Sequence, residues 1–277
     1  MSTKRLGIIE GLWVGLALFV IGLLLQFLVG AIGWRFFEKP FNYLALTIFL
    51  SLLLLLNQFR KKNRFIRWLS DTSCATAALL WCGAATALMG LIRQTGDSTW
   101  PGFTDMSTQW SFILLYVWLT SSVVMVLYRL ALPFSSNKIP FYLSHIGIAM
   151  IILSATLGKA DQTTNLIVIE KGTERQFANL KITLLDCAME RYEDDSPKSY
   201  TAKLQIKGQN GWQDTTILEV NKPYSHKEIK LYLYNFDELD AQYVVLKVVR
   251  DPWLNAVISG IVLTLAGAII RFFKRTT

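Results

Sequence analysis

Long apolar stretches recur along this 277-residue chain and are separated by short polar connections. Each of six stretches supplies the roughly 20 apolar residues that a helix needs to cross the hydrocarbon core of a bilayer. They lie near residues 8–33, 41–58, 74–92, 111–131, 140–158 and 253–272. The first is too long for a signal-peptide core and has no small-residue cleavage site, so we expect it to be retained. The pattern predicts an α-helical integral membrane protein with six transmembrane helices.

The segment between the fifth and sixth stretches has a different pattern. Short runs rich in β-branched and aromatic residues occur there, and several of them alternate apolar with polar positions. The runs cover residues 166–170, 180–185, 200–206, 215–220, 229–234 and 242–249. Residues typical of turns separate them, as in Gly208–Gly211 and Asn221–Pro223. Residues 159–251 are therefore predicted to form an inserted all-β domain, either an antiparallel sheet or a small sandwich.

Positive charge is concentrated outside this segment. The chain has a formal net charge of +8, yet residues 159–250 contain 13 basic and 14 acidic residues. If the six spans alternate in direction, 12 of the other 15 basic residues lie on one side of the membrane. The positive-inside rule then places both termini in the cytoplasm and makes residues 159–251 extracytoplasmic. Because membrane topology accounts for these cations, we expect no nucleic-acid partner.

His145 lies just inside the fifth apolar stretch and is one of two histidines in the chain. An ionisable side chain within a membrane is costly, so its presence raises a functional question. Imidazole is well suited to axial ligation of haem iron. Alternatively, His145 is a packing residue that bonds a neighbouring carbonyl. The second histidine, His226, has no histidine or cysteine near it in the sequence, which favours an ordinary exposed side chain over a metal ligand.

The sequence contains no self-sufficient catalytic constellation, and the catalytic residues are unknown. The cysteines are Cys74, Cys82 and Cys187, and none belongs to a Cys-x-x-Cys or Cys-x-x-Cys-His motif. Cys74 and Cys82 would lie roughly 12 Å apart along one helix, which is too far for a disulfide. We therefore expect all three cysteines to have packing roles.

Several short motifs follow one another in order from residue 65 onward. They are Phe65–Asp71, Gly90–Gln94, Trp110–Leu115, Leu143–Gly147, Asn179–Asp186, Pro197–Tyr200, Leu218–Pro223 and Arg250–Pro252. Over about residues 65–273 the chain resembles the ResB (CcsB-type) proteins of system II cytochrome c biogenesis, which have three spans, a large outer domain and a final span. The resemblance divides the chain into residues 1–64 (two extra spans and a basic loop), 65–158 (a three-helix core), 159–251 (the outer domain) and 252–277 (the final span and a basic tail).

The resemblance implies a function in haem handling at the plasma (inner) membrane. ResB-type proteins work with a CcsA-type membrane subunit to move haem b outward and join it to apocytochrome c. The membrane histidine of the family maps onto His145, which implies that His145 is an axial ligand of the haem iron. The chain would be a non-catalytic or shared-site subunit of a haem lyase complex. Its outer domain would either position the apocytochrome or shield the haem, and the first two spans receive no role.

The expected topology limits how the chain can bind haem. His145 would lie near the cytoplasmic end of its span and His226 on the other side, about 30 Å away. Since one haem cannot bridge that distance, we expect a partner to supply the second axial imidazole. Two alternatives stay open. One is a haem-b anchor of a quinone-linked oxidoreductase, which would ordinarily need facing histidines within the bundle, and the other is a non-haem membrane scaffold.

Overall fold

The structure, a computed structural model, describes residues 6–96, 100–131, 133–194, 196–209, 211–237 and 240–276. Its α-helices are α1 (Ile8–Val29), α2 (Phe41–Gln58), α3 (Arg64–Leu69), α4 (Thr72–Leu91), α5 (Trp110–Ala131), α6 (Ile139–Gly158) and α7 (Leu254–Thr276). Six of these, all except the short α3, are long and apolar enough to cross a membrane. The chain is thus a multi-pass membrane protein, and the prediction of six transmembrane helices is confirmed.

Two compact units divide the chain. The helical unit consists of Met1–Ala160 and Trp253–Thr277, and the β unit consists of Asp161–Pro252. Within the helical unit, Asn63 begins α3, because its side chain accepts hydrogen bonds from the backbone amides of Phe65 and Ile66. Asp71 begins α4 in the same way by accepting from the amide of Thr72.

Helix α1 is part of the core of the helical unit. Its buried residues are Gly11, Gly15, Gly22 and Gln26. The first two glycines lie against Ala77 and Trp81 of α4, so closely that an added Cβ atom would overlap those side chains. Gln26 accepts a hydrogen bond from the backbone amide of Trp110 at 3.3 Å, which ties α1 to the start of α5. The first additional span therefore packs against the helices that carry the ResB resemblance.

Helices α6 and α7 meet along a second line of small residues, which we call the α6–α7 seam. It comprises Pro140, Ser144, Gly147 and Gly158 of α6 with Gly260, Thr264 and Gly267 of α7 and the preceding Trp253. A Cβ atom added at Gly147 would lie 2.5 Å from the carbonyl oxygen of Gly260, and one added at Gly267 would lie 2.7 Å from the amide nitrogen of Ser144. Close backbone approach at small residues is a common way for helices to associate in membranes.

The β unit is a pair of antiparallel sheets. The strands are β1 (Thr163–Glu170), β2 (Glu174–Phe177), β3 (Leu180–Arg191), β4 (Pro197–Gly208), β5 (Gln213–Glu219), β6 (Tyr224–His226), β7 (Ile229–Phe236) and β8 (Tyr243–Arg250). One sheet has the order β1-β8-β7-β6 and the other β2-β3-β4-β5. Fully buried aliphatic residues fill the space between them, including Ile182, Leu204, Leu218, Leu231 and Leu246. The prediction of an inserted all-β domain is confirmed.

Two strands of the β unit were absent from the sequence-based expectation. They are β2, which has four residues, and β6, which has three. Both are edge strands that pair with one neighbour in their sheet. Runs of this length are too short to display the alternation of apolar and polar positions on which strand prediction depends.

Candidate functional site

The N-terminal part of α6 is anchored by aromatic contacts. Pro140 occupies the first turn of the helix, where its fixed backbone angle is favourable and its missing N–H is not needed. Two residues later, the Tyr142 hydroxyl donates to the carbonyl of Leu130 at the end of α5, with an O···O distance of 2.7 Å. The Tyr142 ring also stacks on Phe134, with ring centroids 5.6 Å apart. These contacts hold the turn that precedes His145 against the neighbouring helix.

His145 is held by contacts to its own helix. Its Nδ1 atom lies 3.0 Å from the carbonyl oxygen of Phe141, one turn earlier. The imidazole also stacks on the Phe141 ring, with centroids 3.7 Å apart and planes inclined by 26°. A hydrogen bond and a stacked aromatic ring together restrict the rotation of the imidazole about its side-chain bonds.

The hydrogen bond determines which nitrogen of His145 carries the proton. A carbonyl oxygen accepts and never donates, so Nδ1 must carry the hydrogen in this contact. The hydroxyl of Ser144, 3.4 Å from the same nitrogen, donates to the carbonyl of Pro140 and can likewise only accept from His145. The lone pair of the neutral imidazole is therefore on Nε2. This is the arrangement by which proteins commonly orient a metal-binding histidine.

His145 occupies the boundary between two packed faces of α6. Ser144 and Gly147 face α7 in the α6–α7 seam. Ile148 and Ile152 pack against the hydrophobic core of the helical unit. The imidazole between them is half-buried, and its neighbour Ile146 is 42% exposed. The site is therefore on the side of the bundle and not in its interior. A second molecule can reach it there.

These residues fit haem as a partial ligand set. The donor that they provide is one neutral imidazole nitrogen, which is a suitable axial ligand for haem iron. Within the described residues there is no group of three or more histidine, cysteine or acidic side chains that could hold a metal ion. The arrangement can therefore offer one axial ligand to a haem iron.

The second histidine, His226 of β6, also has an aromatic neighbour. This neighbour lies in the connection between β4 and β5. The His226 ring stacks on Trp212 with centroids 4.0 Å apart. Both residues line an open cleft of about 580 Å³ at the end of the β unit where β8 terminates. This pair could not be predicted from the sequence, because Trp212 precedes β5 of one sheet and His226 belongs to β6 of the other. The expected separation of His145 and His226 across the membrane stays a prediction.

The cysteines have the environment expected of packing residues. All three are free thiols and buried. The Cys82 thiol donates to the carbonyl of Leu115 at 3.3 Å, and the Cys187 thiol donates to the carbonyl of Ala241 at 2.8 Å. Burial raises the pKa of the Cys187 thiol, so the reactive thiolate is disfavoured at neutral pH.

The fold and the site define a multi-pass membrane protein with an inserted β unit and one oriented imidazole in a membrane span. Residues 135–242 match the ResB-like family. This match contains α6 with His145 and lies inside the range predicted from the sequence, so the resemblance to ResB proteins is confirmed.

Two further comparisons were made. No curated protein matches the sequence. A solved structure described as "Cytochrome c Heme Lyase CcmF" is similar at 12% sequence identity with a TM-score of 0.43, over 96% of the present chain and 46% of that chain. The present chain therefore spans less than half the length of that structure.

Proposed function

We propose that this chain is a ResB-like subunit of a system II cytochrome c synthase. In this role it helps to carry haem b across the membrane and presents it, together with a CcsA-type partner, for covalent attachment to apocytochrome c. The main support is the coincidence of two observations. The ResB-like match contains His145, and the hydrogen bond to Phe141 leaves the Nε2 lone pair of that residue available.

The orientation of the His145 imidazole supports a specific role for this residue in handling the haem substrate. Its Nε2 atom would bind the haem iron, while the Nδ1–H bond to Phe141 keeps the ring in the required tautomer. The Phe141 ring limits the movement of the imidazole. The haem would lie on the side of the bundle, where a histidine of the partner subunit would occupy the other axial position.

The proposed topology places both termini in the cytoplasm and the β unit outside the cytoplasm. The distribution of lysine and arginine supports it, because 12 of the 15 cations outside residues 159–250 fall on the side assigned to the cytoplasm. In this orientation the β unit would meet apocytochrome c after its export. The open cleft that contains Trp212 and His226 favours a role in positioning the apocytochrome over simple shielding of the haem.

A haem-b anchor of an oxidoreductase has less support. A stable bis-histidine haem would need a second imidazole in the bundle, and His145 is the sole histidine in the sequence of the helical unit. A scaffold without haem would not require an imidazole whose Nε2 atom is left available. Spectra of the chain purified alone and with its partner separate the three functions. Haem in the pair alone supports the synthase, haem in the single chain supports the anchor, and haem in neither supports the scaffold.

Replacement of His145 by alanine tests the proposal directly. In complex purified with the partner, His145→Ala should lower the affinity for haem by about tenfold or more, because an axial ligand is lost. Added imidazole should restore the haem spectrum, since a free ring can enter the vacated position. Ile146→Ala is the matched control, because Ile146 is adjacent in sequence and 42% exposed. A His145→Ala complex that assembles and retains its full haem spectrum would show that the ligand assignment is wrong.

A further inference from the structure

The α6–α7 seam brings a cation of α7 to the end of α6 that contains His145. The two helices run antiparallel, since Gly260 lies against Gly147 and Gly267 lies against Pro140 and Ser144. Arg271 follows Gly267 by four residues, which is about one turn on the same face of α7. The helix register therefore places Arg271 beside the first turn of α6, next to the turn that holds Phe141 and His145.

The Arg271 side chain has features of a ligand-binding cation. It is exposed, and no hydrogen bond or ion pair joins it to any of the residues that the structure describes. Neither α6 nor α7 contains an aspartate or glutamate that could neutralise it.

Two other cations lie at this end of the two helices. Lys138 precedes α6 and is seven residues from His145, about 10 Å along a helix axis. Lys274 lies about one turn beyond Arg271 on α7, in the direction away from Gly267. Among these three, Arg271 is the cation that follows a residue of the α6–α7 seam by one helical turn.

A donor nitrogen and a nearby guanidinium are complementary to haem b. Haem has an iron at its centre and two carboxylates on one edge, so a site that orients it needs a ligand for the metal and a cation for that edge. Arginine binds carboxylates through two parallel N–H···O bonds, which fixes direction as well as adding affinity. We propose that Arg271 binds a propionate carboxylate of the haem whose iron is bound by His145, so that α6 and α7 together form one haem site. This inference depends on the function proposed above.

The test compares haem with its dimethyl ester, in which both carboxylates are uncharged. Complex of the full chain with its partner is depleted of haem and titrated with ferric haem or ferric haem dimethyl ester, and binding is followed by absorbance. The wild-type complex should bind haem more tightly than the ester. Arg271→Gln should weaken haem binding by about tenfold, the scale of a lost hydrogen bond to a charged group, and leave ester binding unchanged. Arg271→Lys should be intermediate, because it retains the charge but not the two-bond geometry.

Lys274→Gln is the matched control, since it removes a cation from the same helix one turn farther from the site. It should leave both titrations unchanged. The proposal is overturned if Arg271→Gln weakens haem and ester equally, which would indicate a packing role, or if it weakens neither. Equal affinity of the wild-type complex for haem and ester overturns it as well, and that measurement needs no variant.

Failure of the proposed function would look different. In that case the wild-type complex would bind no haem, or His145→Ala would bind it as well as the wild type. If His145→Ala abolishes haem binding while Arg271→Gln has no effect, the function stands and the role of Arg271 does not.

Discussion

The α6–α7 seam of the helical unit and the interior of the β unit are formed by different kinds of side chain. In the helical unit, backbones approach each other at Gly147, Gly260 and Gly267, where no side chain separates α6 from α7. In the β unit, large aliphatic residues such as Leu204 and Leu246 are fully buried between two sheets. The difference follows from the solvent. Lipid is as apolar as leucine, so burial of leucine from lipid drives little association, whereas burial from water does.

This comparison predicts that the two regions respond in opposite ways to a change of side-chain volume. The α6–α7 seam should tolerate loss of side-chain volume and fail when volume is added. The core of the β unit should fail when volume is removed, because a cavity remains. The two histidines also differ, in whether the aromatic ring that they stack on is close in the sequence. His145 stacks on a ring of its own helix, whereas His226 stacks on Trp212 from the connection between β4 and β5, so the geometry of His226 depends on the tertiary fold.

The largest effect is expected from added volume in the seam. Gly147→Leu would place a side chain where even a Cβ atom would overlap the backbone of Gly260 and Thr264. We expect a loss of at least about 4 kcal/mol in the stability of the helical unit, because the overlap is with backbone and cannot be relieved by a rotamer change. The measurement is the yield of monodisperse protein in detergent and its thermal unfolding.

Gly83→Leu is the control for this variant. Gly83 is exposed on α4, and an added Cβ atom there meets no atom within 4 Å. It should leave the yield and the unfolding temperature unchanged. Wild-type behaviour of Gly147→Leu would mean that α6 and α7 do not associate through the seam.

The converse variant removes volume from the β unit. Leu204→Ala empties part of a fully buried position in β4 and should destabilise the β unit by about 3 kcal/mol. Limited proteolysis and thermal unfolding of the full chain would measure the loss. Ile217→Ala on the neighbouring strand, where the side chain is 60% exposed, should have little effect. Equal effects of the two variants would contradict the assignment of the core.

The smallest effect concerns a polar contact between the two sheets. The Tyr224 hydroxyl of β6 donates to the Asp214 carboxylate of β5 at 2.8 Å. Tyr224→Phe should cost about 1 kcal/mol at neutral pH, the usual net contribution of one hydrogen bond. The control is Tyr234→Phe, because Tyr234 is 60% exposed. A wild-type unfolding curve for Tyr224→Phe at neutral pH would show that this bond does not stabilise the sandwich.

The contribution of Tyr224 should also depend on pH. Burial, and then the hydrogen bond to Asp214, raise the pKa of the Tyr224 phenol. A raised pKa in the folded state means that the neutral phenol stabilises the fold below its unfolded pKa of about 10. That contribution is lost as the pH rises toward the folded value. The stability difference between wild type and Tyr224→Phe should therefore be constant at neutral pH and shrink in alkaline solution.

Much of the fold was predictable because its determinants are local in sequence. A stretch of about 20 apolar residues is sufficient to predict a membrane span, and six of the eight strands overlap runs seen in the sequence. The strands that escaped prediction, β2 and β6, are defined by pairing with β3 and β7 and not by their own composition. The packing of α1 could not be predicted from the sequence either, because the contacts of its glycines with Ala77 and Trp81 are visible only in the structure.

For the candidate site, the sequence by itself determined that one ionisable imidazole lies in an apolar span, because residue type and hydropathy are properties of the chain. It also determined the family resemblance, which the match over residues 135–242 confirms. Only the tertiary structure decided that Phe141 directs the proton of His145 to Nδ1 and that the register of α7 places Arg271 beside the first turn of α6. The physical reason is that hydrogen-bond direction and helix register depend on distances between atoms, and residues 126 positions apart in the chain acquire such distances only through packing.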